Sequence, residues 1–93
     1  MEKSEKILGK WRQNRPREVR FGGVETVLNA YFPGMWEQKS GSHIVVRHES
    51  LKNAAGFGPA GEFTVPKKRD QKVKGHYLKT ILKAIEIIKT EIR

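Results

Sequence analysis

The run Gly41-Ser42-His43-Ile44-Val45-Val46-Arg47-His48 places an imidazole at the mouth of a short β-branched segment. Histidine exchanges a proton near neutrality and can act as a general acid or base. Strand alternation puts His43 and Arg47 on one face, with the Ser42 hydroxyl beside the ring to orient it or to contact phosphate. A proton carrier shown together with fixed positive charge suits chemistry on a phosphodiester. In RNA the 2′-hydroxyl is a built-in nucleophile. Cleavage then needs a base on that hydroxyl, an acid on the leaving 5′-oxygen and positive charge on the phosphorane. His43 is the catalytic candidate, and Arg47, Lys39, Lys67 and Lys68 are the candidate cations. On spacing alone, a histidine beside a Ser-Gly turn is more often a surface residue without a task.

The other two histidines are read differently. His48 falls on the opposite face and is expected to pack or to sit at an edge, while His76 opens the last helix. The three lack metal-ligand spacing and no acidic cluster accompanies them, so neither a metal nor a cofactor is expected. The segment Lys67-Lys68-Arg69-Asp70-Gln71-Lys72-Val73-Lys74 is rich in cations and leads into that helix. Lys67, Lys68, Arg69, Lys72 and Lys74 are therefore candidates for phosphate contact. The aromatic residues Trp11, Trp36, Tyr31 and Phe63 read as core rather than as stacking platforms. Gly56-Phe57-Gly58-Pro59-Ala60-Gly61 opens no helix and holds no lysine, so it is not a nucleotide loop.

The whole chain narrows the partners. Its 93 residues suit a single domain. Nineteen Lys and Arg face ten Asp and Glu, a net charge of +9, and nucleic acid is the first partner such an excess suggests. The absence of cysteine removes disulfides, thiolate metal sites and thiol nucleophiles. No apolar run suggests a leader or a membrane span, so the expected location is cytoplasmic and no membrane partner is expected.

Hydrophobic periodicity supplies the elements that must position these groups. Ser4 is expected to cap a helix carrying Ile7, Leu8 and Trp11 that ends before Pro16. Residues 12–20 read as a basic connector. Val24, Val27, Leu28 and Tyr31 form the stripe of a second helix, stopped by Pro33-Gly34. Strands are expected at 35–39, ending at the Ser40-Gly41 turn, at 43–49 and at 62–65. Ser50 to Gly61 reads as a long flexible hairpin loop. Tyr77, Leu78, Ile81, Leu82, Ile85, Ile88 and Ile92 mark a final helix. The order predicts an α+β domain with helices packed on one face of a three-stranded antiparallel sheet. Ile44 and Val46 would face the core, leaving His43, Val45 and Arg47 on the uncovered side.

Taken in order, several motifs resemble those of the HicA family of toxins from type II toxin–antitoxin systems. They are the helix with Val24, Val27 and Leu28, then Gly41-Ser42-His43, Arg47-His48, Thr64-Val65-Pro66, and Lys74-Gly75 followed by Leu78, Ile81 and Leu82. The resemblance spans about residues 23–88. It implies a fold like a double-stranded-RNA-binding domain (dsRBD) over 23–93, with 1–22 as an added N-terminal helical extension. It further implies a metal-independent endoribonuclease acting on mRNA and neutralised by a HicB-type antitoxin, and it maps the family's catalytic histidine onto His43. Family members commonly carry a histidine shortly after the Val-Pro of the third strand, where this chain has Lys67 and Lys68. The rival expectations are a non-catalytic RNA-binding module using the same face, and a protein–protein interaction domain whose basic face meets an acidic partner.

Overall fold

The computed structural model describes residues 3–39 and 41–91. Three helices pack with a three-stranded antiparallel sheet, and a two-stranded ribbon lies beside them. In chain order the elements are α1 (Lys3–Gln13), β1 (Glu18–Arg20), α2 (Phe21–Tyr31), β2 (Trp36–Lys39), β3 (His43–Arg47), β4 (Glu62–Pro66), β5 (Lys72–Lys74) and α3 (His76–Glu91), with a 3₁₀ turn at Glu49–Leu51. Ile92, expected in the last helical stripe, and Ser40 of the expected turn lie outside the described residues.

α1 buries Ser4, Leu8 and Trp11, which recur at i, i+4 and i+7 along one face. Ser4 therefore lies within the helix and is packed inward, not set before the helix as its cap. Leu8 and Trp11 share one core cluster with Val24, Val27 and Leu28 of α2 and with Ile81 and Ile85 of α3. The first helix is thus part of the main core. On the surface, Arg12 Nη2 meets Glu86 Oε2 of α3 at 3.1 Å.

The connector after α1 contains a strand that the sequence pattern did not announce. β1 pairs antiparallel with β5, Glu18 opposite Lys74, Val19 opposite Val73 and Arg20 opposite Lys72. Each strand is a single valine between two charged residues, too short for alternation to be visible. Gly75 closes the ribbon: its N–H donates to Arg17 O at 2.6 Å. A Cβ at Gly75 would collide with the Pro16 carbonyl oxygen and stand 3.0 Å from that of Arg17.

The sheet runs β2-β3-β4. Its register sets Trp36, Glu37, Gln38 and Lys39 opposite Val46, Val45, Ile44 and His43. On the other side His43, Ile44, Val45, Val46 and Arg47 face Pro66, Val65, Thr64, Phe63 and Glu62. Ile44, Val46, Phe63 and Val65 are buried towards the helices. Glu37, Lys39, His43, Arg47 and Thr64 stand on the opposite, open face and are exposed. The predicted inward and outward sets are those observed.

The segment from Ser50 to Gly61, expected to be a flexible loop, is instead folded on itself. Leu51 is fully buried and Phe57 is 5% exposed, the latter packed edge-on against Phe63 with ring centroids 5.7 Å apart. Backbone bonds from His48 N to Gly61 O (3.0 Å) and from Asn53 N to Gly58 O (2.8 Å) close it into a compact surface loop. Gly61 has φ +65° and its Cα lies against the His48 carbonyl, where a side chain does not fit. Two apolar anchors hold the loop down. Phe57→Ala is accordingly expected to cost about 3 kcal/mol in urea unfolding and to open residues 50–61 to limited proteolysis. Unchanged stability would mean that the loop does not depend on this anchor.

Candidate functional site

His43 begins β3 and is exposed on the open face. Its cross-strand neighbours are Lys39 on β2 and Pro66 on β4. Ser42 Oγ lies 3.3 Å from His43 Nδ1. If the ring donates that proton to the hydroxyl, Nε2 is the free base. In the other tautomer Nε2 carries the proton and can give it up. The turn carrying these residues is fixed from two sides. Lys67 N donates to Ser42 O at 2.7 Å, and Gln38 Nε2 donates to Gly41 O at 2.9 Å.

Arg47 shares the open face with His43, as alternation predicts, but stands four residues further along β3, about 13 Å away at strand spacing. Arg47 is engaged by carboxylates of the neighbouring strands rather than turned to His43. Arg47 Nε donates to Glu62 Oε2 at 2.6 Å, and Nη1 lies 3.9 Å from Glu37 Oε2. The hydrogen bond to Glu62, reinforced by its charge, raises the guanidinium further above its ordinary range. Glu18 does the same for Lys68, whose Nζ lies 2.6 Å from Glu18 Oε2. Each raised cation contributes its share of the pairing below its ordinary pKa for as long as the carboxylate partner stays ionised. That share is lost as pH rises through the raised value, far into alkali.

The remaining candidates separate into groups. Lys67 is 8% exposed and follows Pro66, so its side chain turns to the helix side of the sheet, away from His43. There its Nζ donates to Gln38 Oε1 and Gln71 Oε1, both at 3.1 Å, and sits 4.7 Å from the centre of the Phe21 ring. Lys72 Nζ lies 3.8 Å from Glu18 Oε1 and 3.9 Å from Asp70 Oδ2. Lys39, Arg69 and Lys74 are exposed, and none of the ion pairs among the described residues includes them. Of all the candidate cations, only Lys39 is brought beside His43 by strand pairing.

Sequence reading did not single out Gln38 and Gln71, which hold Lys67. Their contacts to it reach across the sheet and the following turn, and no local spacing encodes them. Nor did it foresee a cavity of about 770 Å³ at the Arg47 end of the open face, where Met35, Trp36, Val45 and Arg47 meet Pro59 and Ala60. The folded loop supplies that wall. His48 Nδ1 accepts from Ser50 N at 3.0 Å, and its ring packs edge-on against Phe32. His76 stacks on Tyr77 with centroids 4.0 Å apart. Among the described residues, no group of three His, Cys, Asp or Glu side chains could hold a metal ion, and no helix is long and apolar enough to cross a membrane. In comparison with known proteins, no family model, no curated protein and no solved structure matches this chain.

Proposed function

We propose that the protein is a metal-independent endoribonuclease of the mRNA-interferase type, with His43 as its proton-transfer residue. The observation that carries this reading is the exposure of His43 on the open sheet face beside the exposed Lys39. The order α2, β2, β3, β4, α3, interrupted by the short β5 before α3, supports the dsRBD-like fold implied by the likeness to HicA toxins. The same likeness makes a HicB-type antitoxin the protein partner and the cytoplasm the place of action.

In this mechanism His43 removes the proton from a 2′-hydroxyl. The 2′-oxygen attacks phosphorus, the bond to the 5′-oxygen breaks, and that oxygen takes up a proton. The products carry a 2′,3′-cyclic phosphate and a 5′-hydroxyl. Lys39 offers charge to the phosphorane. Arg69, Lys72 and Lys74 contact the flanking backbone, while Lys67 braces the Ser42 turn from behind. Lys68 and Arg47, held by Glu18 and Glu62, contribute charge at longer range.

These roles separate in salt titrations. Lys39→Ala should lower the slope of log affinity against log salt by about 0.7 for single-stranded RNA, the loss of one phosphate contact. Arg47→Ala should leave the slope unchanged, because Glu62 already occupies that guanidinium. Equal effects of the two variants would remove Lys39 from its assigned place.

One observation favours a second reading, a non-catalytic RNA-binding module: among the described residues Ser42 is the only side chain hydrogen-bonded to His43. Apart from Lys39 across the strand pair, no acid or base among the described residues is held beside it by strand register or hydrogen bond. An RNA with single 2′-deoxy substitutions distinguishes the readings. The nuclease cuts the unmodified strand and spares the substituted linkage while binding both strands. Salt-sensitive binding without cleavage of either strand would establish the module instead.

A further inference from the structure

β2 forms one edge of the sheet, with β3 as its only strand neighbour among the described residues. In an antiparallel ladder, residues that exchange backbone hydrogen bonds alternate with residues that do not. Arg47 N donates to Met35 O at 2.9 Å. Met35, Glu37 and Lys39 are therefore the residues whose backbone groups face β3. Those of Trp36 and Gln38 face away from the sheet, where a further strand would bind. Glu37 and Lys39 project from the open face, are both exposed, and carry opposite charges two residues apart.

We infer that this edge pairs with the same edge of a second copy of the chain, antiparallel about a two-fold axis at Gln38. The outward backbone groups permit registers centred on Trp36, Glu37, Gln38 or Lys39. Centring on Trp36 sets Glu37 opposite Met35 and leaves both charges without a partner. Centring on Glu37 sets that carboxylate against its own copy, and centring on Lys39 opposes two ammonium groups. Both arrangements are unfavourable, because like charges directly opposite repel. Centring on Gln38 lets the two Gln38 residues exchange backbone hydrogen bonds. It also sets each Glu37 opposite Lys39 of the second copy, in non-hydrogen-bonded pairs where side chains approach most closely. The charge pattern is thus self-complementary in one register only, as a two-fold interface requires.

Met35, an exposed large apolar side chain at 45% of its full accessibility, lies just before Trp36 at the start of the same edge. The inference does not rest on the RNA reading. It does place Lys39 in the interface, so self-association and RNA would compete for that ammonium.

Sedimentation velocity over a range of protein and salt concentrations tests it. The wild type should show a monomer–dimer equilibrium that weakens with salt. Glu37→Lys and Lys39→Glu should each weaken the dimer about tenfold or more by setting like charges opposite. The double variant, with the charges exchanged, should restore it. Glu37→Lys and the double variant both lose the 3.9 Å contact of Glu37 with Arg47, so that loss cannot explain a difference between them. Circular dichroism establishes that each variant is folded. A wild type that stays monomeric at every concentration, a dimer unaffected by either single reversal, or a charge exchange that fails to restore association would each overturn the inference.

Discussion

Replacing His43 with alanine is expected to slow RNA cleavage by about 10²–10⁴-fold, the usual contribution of a positioned acid or base. Stability should hardly change. The ring is exposed, and its hydrogen-bonding partner is the neighbouring Ser42 hydroxyl at 3.3 Å. Exposed substitutions of this kind usually stay within about 0.5 kcal/mol, or a few degrees in Tm for a domain of this size. Binding should also persist, since the cations proposed to meet phosphate lie on β2 and along residues 69–74. Single-turnover cleavage, thermal melting and RNA titration on the same preparations separate the three quantities. A variant that loses activity only because it melts tens of degrees lower would give His43 a structural role.

Gly75→Ala should produce the largest loss of stability, about 3 kcal/mol or more, the upper end of what overpacking usually costs. The reason is the identity of the obstructing atoms. An added methyl group meets backbone carbonyls of Pro16 and Arg17, which cannot turn aside as a side chain would. Relief requires parting β1 from β5 or lifting the start of α3, where Leu78 N donates to Gly75 O at 3.0 Å. In either case the Gly75–Arg17 hydrogen bond is lost. A fall in Tm of more than about 10 °C is expected for a domain of this size, read by circular dichroism. An alanine variant that melts with the wild type would show that residues 16–17 are not held against the start of α3.

Much of this architecture was legible in the residues, and the failures have physical causes. Leu78, Ile81, Ile85 and Ile88 repeat often enough to define a helix and the face it buries. Ile44 and Val46 between His43 and Arg47 gave the inward and outward sets of β3. Strands β1 and β5 were missed because Glu-Val-Arg and Lys-Val-Lys offer one apolar residue each, and their pairing spans the whole domain. The segment 50–61 was misjudged because its glycines signalled freedom, whereas Leu51 and Phe57 tie it to the core. At the site, alternation placed His43 and Arg47 on one face but said nothing of the carboxylates of Glu37 and Glu62. Those belong to neighbouring strands, so register had to be known before Arg47 could be seen as engaged. Lys67 shows the same limit: it looked like one cation in a basic run, yet β4 carries it to the far side of the sheet.

His43 is proposed to drive attack by the RNA's own 2′-hydroxyl without a metal. End-group analysis of RNA incubated with the purified wild-type protein in EDTA tests this. Fragments ending in 2′,3′-cyclic phosphate, with 5′-hydroxyl on the downstream piece, are expected. Fragments carrying 5′-phosphate and 3′-hydroxyl, or cleavage that EDTA abolishes, would contradict that mechanism.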